Sequence, residues 1–284
     1  MLEYRLRRLP AALQIARDRR LDGARFPWES AWSGIDVTPT SMRDRTGHLV
    51  PIRTGQREEH IVAEVPWAAS TYTDWSGDDE FARGPGLRLL VETARYWQSR
   101  VRRDTDGTAH LYSVIGPDEY HEPVDDNAFT NVMARWNLRR AADAVEHHPT
   151  AVPDVGVDEI SAWRETAAAL IDGYDAHTGV YEQFAGFNQL EPLIIEEVAP
   201  RRPITADLLL GADRVRMAQV VKQADVLMLH HLVPDEVVDN TLEPNLRFYE
   251  PRTAHGSSLS PGVHASLFAR TRNYEQALEA LQIA

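Results

Sequence analysis

Residues Gly116 to Asn131, with the sequence GPDEYHEPVDDNAFTN, concentrate groups that can exchange protons: five carboxylates, a histidine and two asparagines. Glu119 is the strongest candidate, because it follows a Gly-Pro turn beside Tyr120 and His121, where partial burial and neighbouring carboxylates would oppose its ionisation. A carboxyl group that stays protonated can act as a general acid, as the cleavage of a sugar bond requires. Two alternatives stay open: the acids only cap a helix and solvate a loop, or they bind calcium.

Lys222 and Gln223 enter an otherwise apolar run, Val220 to Leu232. Polar side chains in such a run are costly unless they contact something polar, and sugar hydroxyls would satisfy them. The simpler interpretation is an ordinary helix with a polar stripe that also includes Asp225.

His255, Gly256, Ser257 and Ser258 form a small-residue turn before a helix predicted over Leu259 to Arg270. Free backbone N–H groups, hydroxyls and the positive end of a helix dipole favour an anion at such a place. Helix capping explains one of the two serines equally well, but it leaves the histidine and the second serine unexplained.

Trp28 and Glu29 lie in a predicted loop, and Trp67 and Trp75 are also assigned to loops. An aromatic face beside a carboxylate suits the apolar side and the hydroxyl edge of a sugar ring, although core packing is as good an explanation of any one tryptophan. The adjacent His230 and His231 lack the spacing of a zinc motif, so no metal is predicted.

Helical periodicity recurs along the chain and strand alternation is scarce, which predicts an all-α fold in one domain over residues 1–284. The helices are predicted at Leu2 to Arg19, Gly86 to Val101, Ala128 to His148, Asp158 to Ile171, Asp213 to Leu232, Leu259 to Arg270 and Tyr274 to Ile283. The long connections at Asp22 to Glu59, Asp172 to Pro203 and Val233 to His255 are expected to be functional loops.

Composition narrows the functional class. The 284 residues carry a formal charge of -13 and no cysteine, which disfavours nucleic acid and anionic membranes as partners and excludes thiolate metal sites. No apolar run of about 18 residues and no signal-peptide core are found, so we expect a soluble, cytoplasmic protein.

In their order along the chain, four groups of residues resemble the motifs of glycoside hydrolase family 65. They are ARFPWESA at 24–31, GPDEYH at 116–121 with VDDNAFTN at 124–131, KQADV at 222–226 and HGSSLS at 255–260. The resemblance implies an (α/α)6-barrel catalytic domain. It also implies inverting phosphorolysis of an α-glucosidic disaccharide such as maltose, trehalose, kojibiose or nigerose, to β-glucose 1-phosphate and a free sugar.

By position in these motifs, Glu119 would be the proton donor, Lys222 and Gln223 would hold the glucosyl unit, and His255, Ser257 and Ser258 would hold phosphate. No cofactor is implied beyond inorganic phosphate as co-substrate, and a homodimer is compatible because family phosphorylases are often dimers. The acceptor sugar would meet segments treated as loops, Arg57 to Asp79 and Val180 to Ile204.

The chain departs from the family in lacking its N-terminal β-sandwich, an early Trp-Asp motif and its C-terminal sheet, so we expect a barrel incomplete at both ends. Exposed apolar helix faces could then leave it poorly stable or inactive alone. Two alternatives therefore stay open: a family hydrolase, with Glu250 as the base that activates water, and a carbohydrate-binding fragment without turnover.

Overall fold

The computed structural model describes residues 1–43, 47–199 and 201–284, and these form two compact units. The first unit comprises Met1–Leu111 and Met133–Ile171, and the second comprises Tyr112–Val132 and Asp172–Ala284.

The first unit is built from helices of very unequal length and two small hairpins. Its helices are α1 Leu2–Arg7, α2 Leu9–Asp18, α3 Thr54–Arg57, α4 Ile61–Ser76, α5 Asp79–Phe81, a π-helical turn Ala82–Gly86, α6 Leu87–Arg100, α7 Ala128–His147 and α8 Val157–Ala169. The first five residues of α7 belong to the second unit. Antiparallel pairs join β1 Ser41–Arg43 to β2 Leu49–Pro51 and β3 Arg102–Arg103 to β4 Ala109–His110.

The second unit has shorter helices and more irregular chain. It contains a small antiparallel pair, β5 Tyr174–Asp175 and β6 Val180–Tyr181. Its helices are α9 Ile195–Val198, α10 Ala206–Leu210, α11 Ala212–Arg216, α12 Val226–Leu232, α13 Leu242–Tyr249, α14 Leu259–Arg270 and α15 Tyr274–Ile283. Short 3₁₀ turns lie at Phe187–Gln189, Pro234–Glu236 and Glu250–Arg252.

The all-α prediction is confirmed, and α7, α14 and α15 end within one residue of their predicted bounds. The first predicted helix is divided at Arg8, because Pro10 follows closely and a proline cannot continue the hydrogen-bond ladder of the preceding turn.

Three assignments are wrong. Residues Ile61–Ser76, taken as part of a loop, form α4, so Trp67 and Trp75 lie on a helix. Residues Leu242–Tyr249 form α13 inside another predicted loop. Conversely, residues 217–225 are not helical, so the predicted helix over Asp213 to Leu232 divides into α11 and α12 with Lys222 between them.

Each unit has its own apolar cluster. In the first, α2, α4 and α6 pack around Ala12, Ala24, Phe26, Val65, Ala69 and Leu89. In the second, the buried residues of one cluster are Leu193, Ile195, Ala206, Val215, Ala218, Val220 and Ala254. Within the part of the chain that the structure describes, no helix combines the length and the apolar character that crossing a membrane requires.

Candidate active site

The segment that carries Glu119 is a loop whose two ends are joined. Val114 and Val124 form an isolated antiparallel bridge, in which each N–H donates to the other carbonyl, at 2.8 and 2.9 Å. The loop between them is therefore anchored at both ends, although it contains no regular secondary structure.

Asn127 connects this loop to helix α7. Its Oδ1 accepts the N–H of Thr130 at 2.8 Å, so Asn127, rather than one of the acids, makes this capping bond. Its Nδ2 donates to both oxygens of Asp225 at 3.2 Å. Gly116 lies so close to this pair that a Cβ there would be 2.4 Å from Asn127 Nδ2 and 2.6 Å from Asp225 Oδ2, so a larger residue does not fit.

The acids around Glu119 are engaged elsewhere. Asp118 is buried and bonds to His121, Asp125 accepts the N–H of Ser113 at 2.7 Å, and Asp126 accepts from the Asn131 amide at 3.1 Å. Each of these three carboxylates therefore has a hydrogen-bond partner other than Glu119.

The charged partner of Glu119 is Lys222. The Lys222 Nζ lies 3.1 Å from Glu119 Oε1, and the two side chains are 27% and 31% exposed. A carboxylate and an ammonium group thus meet at a surface that a polar ligand can reach, and both belong to the second unit.

The chain around Lys222 is not helical, because its backbone pairs with residues before α14. The Val221 N–H donates to Arg252 O at 2.9 Å, and Val221 O accepts the Ala254 N–H at 2.7 Å. The next carbonyl, that of Lys222, accepts the N–H of Gly256 at 2.8 Å. Lys222 therefore connects the loop of Glu119 to the turn that holds the predicted phosphate residues.

Gln223 contacts the same loop from the other side. Its Nε2 donates to the carbonyl oxygen of Pro117 at 2.6 Å, and its side chain is half-buried. Lys222 and Gln223 thus both contact the Glu119 loop, and their role in holding a sugar stays a prediction.

His255, Ser257 and Ser258 line a cavity of about 340 Å³. Its other lining residues are Pro203, Ile204, Thr205, Gly256, Pro261 and Ile283. Ser258 precedes α14 and makes no side-chain capping bond, whereas Ser257 Oγ accepts the Leu259 N–H at 3.4 Å. The hydroxyl groups therefore lie at a helix N-terminus that faces open space, which is the arrangement an anion prefers.

His255 forms the buried wall of this cavity. The Ala224 N–H donates to Ser260 Oγ at 3.0 Å, and Ser260 Oγ lies 3.1 Å from His255 Nδ1. The other ring nitrogen, Nε2, faces Glu250 Oε1 at 3.7 Å. Burial lowers the pKa of His255, and the Glu250 carboxylate only partly opposes this effect.

Glu250 is held by cationic or protonated neighbours. It contacts His264 Nδ1 through one oxygen, and Arg202 Nη2 lies 3.0 Å from the other. Burial alone would raise its pKa, but hydrogen bonds from His255 and His264 and the charge of Arg202 outweigh burial and keep the pKa well below its usual value. A carboxylate so stabilised is a weak base.

Among the residues that the structure describes, Glu250, His255 and His264 have the donor atoms and spacing to hold a metal ion, since these atoms lie within 4.8 Å of one another. Two imidazoles and a carboxylate are a set that zinc accepts. The Arg202 guanidinium already neutralises Glu250, however, and would repel a second cation. That the protein uses no metal stays a prediction.

Trp28 and Glu29 belong to the first unit. The Trp28 ring contacts the His60 ring edge to face at 5.4 Å and is partly exposed, and Glu29 is exposed. The Glu29 N–H donates to Thr38 Oγ1 at 3.2 Å and its carbonyl accepts from Val37 at 3.0 Å. Their role in sugar binding stays a prediction.

Sequence reasoning missed several residues that hold the site together. Asp118 was counted as one acid in a cluster, Asp225 as part of a helical stripe, and Arg202 and His264 were not considered. The sequence does indicate a role for Asp118 and Asp225, because these acids lie in the same motifs as Glu119 and Lys222.

Comparisons with known proteins identify the family of the chain. The profile of the glycosyl hydrolase family 65 central catalytic domain matches residues 1–284. The chain belongs to this family. A kojibiose phosphorylase from Caldanaerobacter subterraneus subsp. tengcongensis is 33% identical over 99% of the chain, and one from Escherichia coli K12 is 33% identical over 100% of it. A 1,2-alpha-glucosylglycerol phosphorylase from Bacillus selenitireducens is 36% identical over 98% of the chain.

The chain spans about 38% of the length of each of these three relatives. A solved structure of a candidate kojibiose phosphorylase from the human microbiome superposes with a TM-score of 0.84 and 24% identity, over 98% of this chain and 40% of that one. This likeness establishes the fold, which is consistent with part of the predicted (α/α)6 barrel.

Proposed function

We propose that the protein catalyses inverting phosphorolysis of an α-glucosidic disaccharide, which yields β-glucose 1-phosphate and a free sugar. The observation that carries this proposal is the position of Lys222. Its ammonium group pairs with Glu119 at 3.1 Å, and its carbonyl holds the N–H of Gly256 at 2.8 Å, so one residue joins a candidate acid to a candidate phosphate cradle.

Glu119 would donate a proton to the leaving glycosidic oxygen, in a state in which Lys222 has turned from this carboxyl group to the sugar. Lys222 and Gln223 would bind hydroxyl groups of the glucosyl unit. For the first unit by itself, Trp28 and Glu29 are proposed as sugar-binding residues. In an inverting reaction the nucleophile attacks the face opposite the leaving group. Phosphate would be that nucleophile, and no cofactor is needed.

Phosphate would be held by the Ser257 and Ser258 hydroxyl groups and the N-terminus of α14, with His255 as the wall behind them. Because His255 is buried with Nδ1 bonded to Ser260, the serines are the better direct ligands. The histidine would act mainly by shaping the cradle.

One specific observation disfavours the hydrolase alternative. Its base would be Glu250, whose carboxylate is bound by His264 and Arg202 and whose pKa is held below its usual value. Such a group takes a proton from water poorly. A carbohydrate-binding fragment without turnover is the remaining alternative, and binding without product would identify it.

Among substrates, we propose the disaccharide kojibiose first, and we add 1,2-alpha-glucosylglycerol, an α-glucoside whose second product would be glycerol, because similar proteins carry these names. Maltose, trehalose and nigerose complete the panel. Because the reaction would consume phosphate and form a sugar phosphate, we propose a cytoplasmic location, and we propose a homodimer, which light scattering after gel filtration would test.

Product analysis on this panel, with and without inorganic phosphate, tests the proposal. It should use the 284-residue chain beside a longer version, if the gene encodes one. Phosphate-dependent β-glucose 1-phosphate is the expected product. Equal release of glucose without phosphate would refute phosphorolysis and favour the hydrolase.

A further inference from the structure

Asp118 lies directly before Glu119 but faces the interior, and its side chain is fully buried. Its Oδ1 accepts the backbone N–H of Lys222 at 2.8 Å and that of Tyr120 at 3.3 Å. One carboxylate oxygen therefore binds the backbone of Lys222 and the backbone on the far side of Glu119, so it fixes the two chain segments whose side chains form the ion pair.

The other oxygen anchors this arrangement in the core. Asp118 Oδ2 accepts from His121 Nδ1 at 2.6 Å and from Gln183 Nε2 at 2.8 Å. His121 Nε2 lies 2.9 Å from Ala218 O, so both ring nitrogens face acceptors and only a doubly protonated ring can donate to both. Although burial opposes the charge, Asp118 raises the pKa of His121 above its usual value.

Asp118 also receives support from a second buried acid. Its own backbone N–H donates to Asp225 Oδ2 at 3.1 Å, and Asp225 in turn accepts from Asn127. Both the side chain and the backbone of Asp118 are thus held by residues outside its loop. A group used only to cap the local turn would not need these distant partners.

We propose that Asp118 is a positioning residue, which sets the distance between Glu119 and Lys222 by binding the Lys222 backbone while it is anchored on His121 and Gln183. The catalytic consequence rests on the proposed phosphorolysis, whereas the geometric claim does not. Since Lys222 O also holds Gly256, loss of this anchor would displace the acid relative to both the sugar and the cradle.

The test is the variant Asp118→Asn, with Asp213→Asn as the matched control because the Asp213 side chain is fully exposed in the same unit. Asn keeps the shape of the side chain but removes its charge and one acceptor. We expect kcat for phosphorolysis to fall roughly 10²-fold, the cost of misplacing reacting groups by about 1 Å, with KM for phosphate nearly unchanged. Asp213→Asn should match the wild type in both constants.

Crystal structures of the wild type and of Asp118→Asn decide the geometric claim without any activity. We expect the Glu119 to Lys222 distance to lengthen in the variant. An unchanged distance or an unchanged kcat in a folded variant would overturn the proposal. If the wild type shows no phosphate-dependent cleavage, the proposed function fails, but the two structures still decide whether Asp118 positions the pair.

A measurement on the wild type covers the case in which the variant does not fold. Amide hydrogen exchange should show the N–H groups of Lys222 and Tyr120 as strongly protected as the interior of helix α14. Fast exchange at Lys222 would overturn the proposal, because the bond to Asp118 would then not be held in solution.

Discussion

His230 is expected to make the free energy of unfolding depend on pH, and the size of this change follows from the structure. It lies on α12, is 2% exposed and packs against the Tyr181 ring at 6.2 Å. Burial lowers its pKa from 6.5 to about 4, and the nearby Arg270 adds to the effect. The folded protein therefore keeps this ring neutral where the unfolded chain would protonate it.

The direction in which stability changes with pH follows from these two pKa values. Above about pH 6.5 the ring is neutral in both states and adds no pH dependence, whereas between about pH 6.5 and pH 4 the unfolded state binds more protons, so stability falls with falling pH. With these two pKa values, the free energy of unfolding should drop by about 2 kcal/mol between pH 7.5 and pH 5 because of His230 alone.

The assay compares urea unfolding of the wild type and His230→Phe at about pH 7.5 and pH 5, followed by far-UV circular dichroism. Tryptophan fluorescence is unsuitable, because all seven tryptophans belong to the first unit and His230 to the second. Any fixed packing cost of the phenylalanine cancels, since each protein is compared with itself at two pH values. The variant should lose about 2 kcal/mol less than the wild type.

The exposed His177 provides the control, and His177→Gln should retain the pH dependence of the wild type. If His230→Phe loses as much stability as the wild type on acidification, the ring is not kept neutral by burial and the reasoning is refuted.

Three further predictions concern the site. Glu119→Gln should lower kcat by at least about 10²-fold while calorimetry shows sugar binding retained, and unchanged turnover would remove Glu119 from the acid role. Ser258→Ala should raise KM for phosphate about 10-fold or more, the cost of one hydrogen bond to a charged group, and an unaltered phosphate response would count against the cradle. Gly116→Ala should destabilise the protein by about 1–3 kcal/mol in thermal unfolding, because its Cβ would collide with Asn127 and Asp225, and a wild-type Tm would contradict the close approach.

The helices that sequence predicted best are those with strong periodicity and clear ends, such as α7, α14 and α15. Helix α13 was missed although it has a readable start, since Thr241 precedes it and Pro244 falls in its first turn, where a proline is tolerated. Helix α4 is different, because Pro66 lies in its interior and local propensity argues against it. Burial of Val62, Val65 and Ala69 stabilises that helix, which is a tertiary effect.

The prediction of a helix around Lys222 was wrong for the opposite reason: local propensity favoured a helix that tertiary contacts prevent. Its apolar run has the composition of a helix, but the backbone of Val221 and Lys222 pairs with residues 252–256 instead. The Asp225 side chain is also occupied, because it accepts from Asn127 and from the Asp118 N–H. Partners about 30 and about 100 positions away in sequence cannot be read from a local window, so periodicity alone could not have placed Lys222.

Three motifs of the second unit nevertheless lie together in the structure, and hydrogen bonds between them explain why. Each motif pairs residues predicted to carry chemistry with a buried residue that binds another motif: Asp118 binds the Lys222 backbone, Asp225 binds Asn127, and Ser260 binds the Ala224 N–H. A substitution at any of these buried positions would disturb two motifs at once. The three motifs therefore depend on one another, because they share a buried hydrogen-bond network. For this reason, finding them together and in order is a stronger indication of a site than a single acidic turn is.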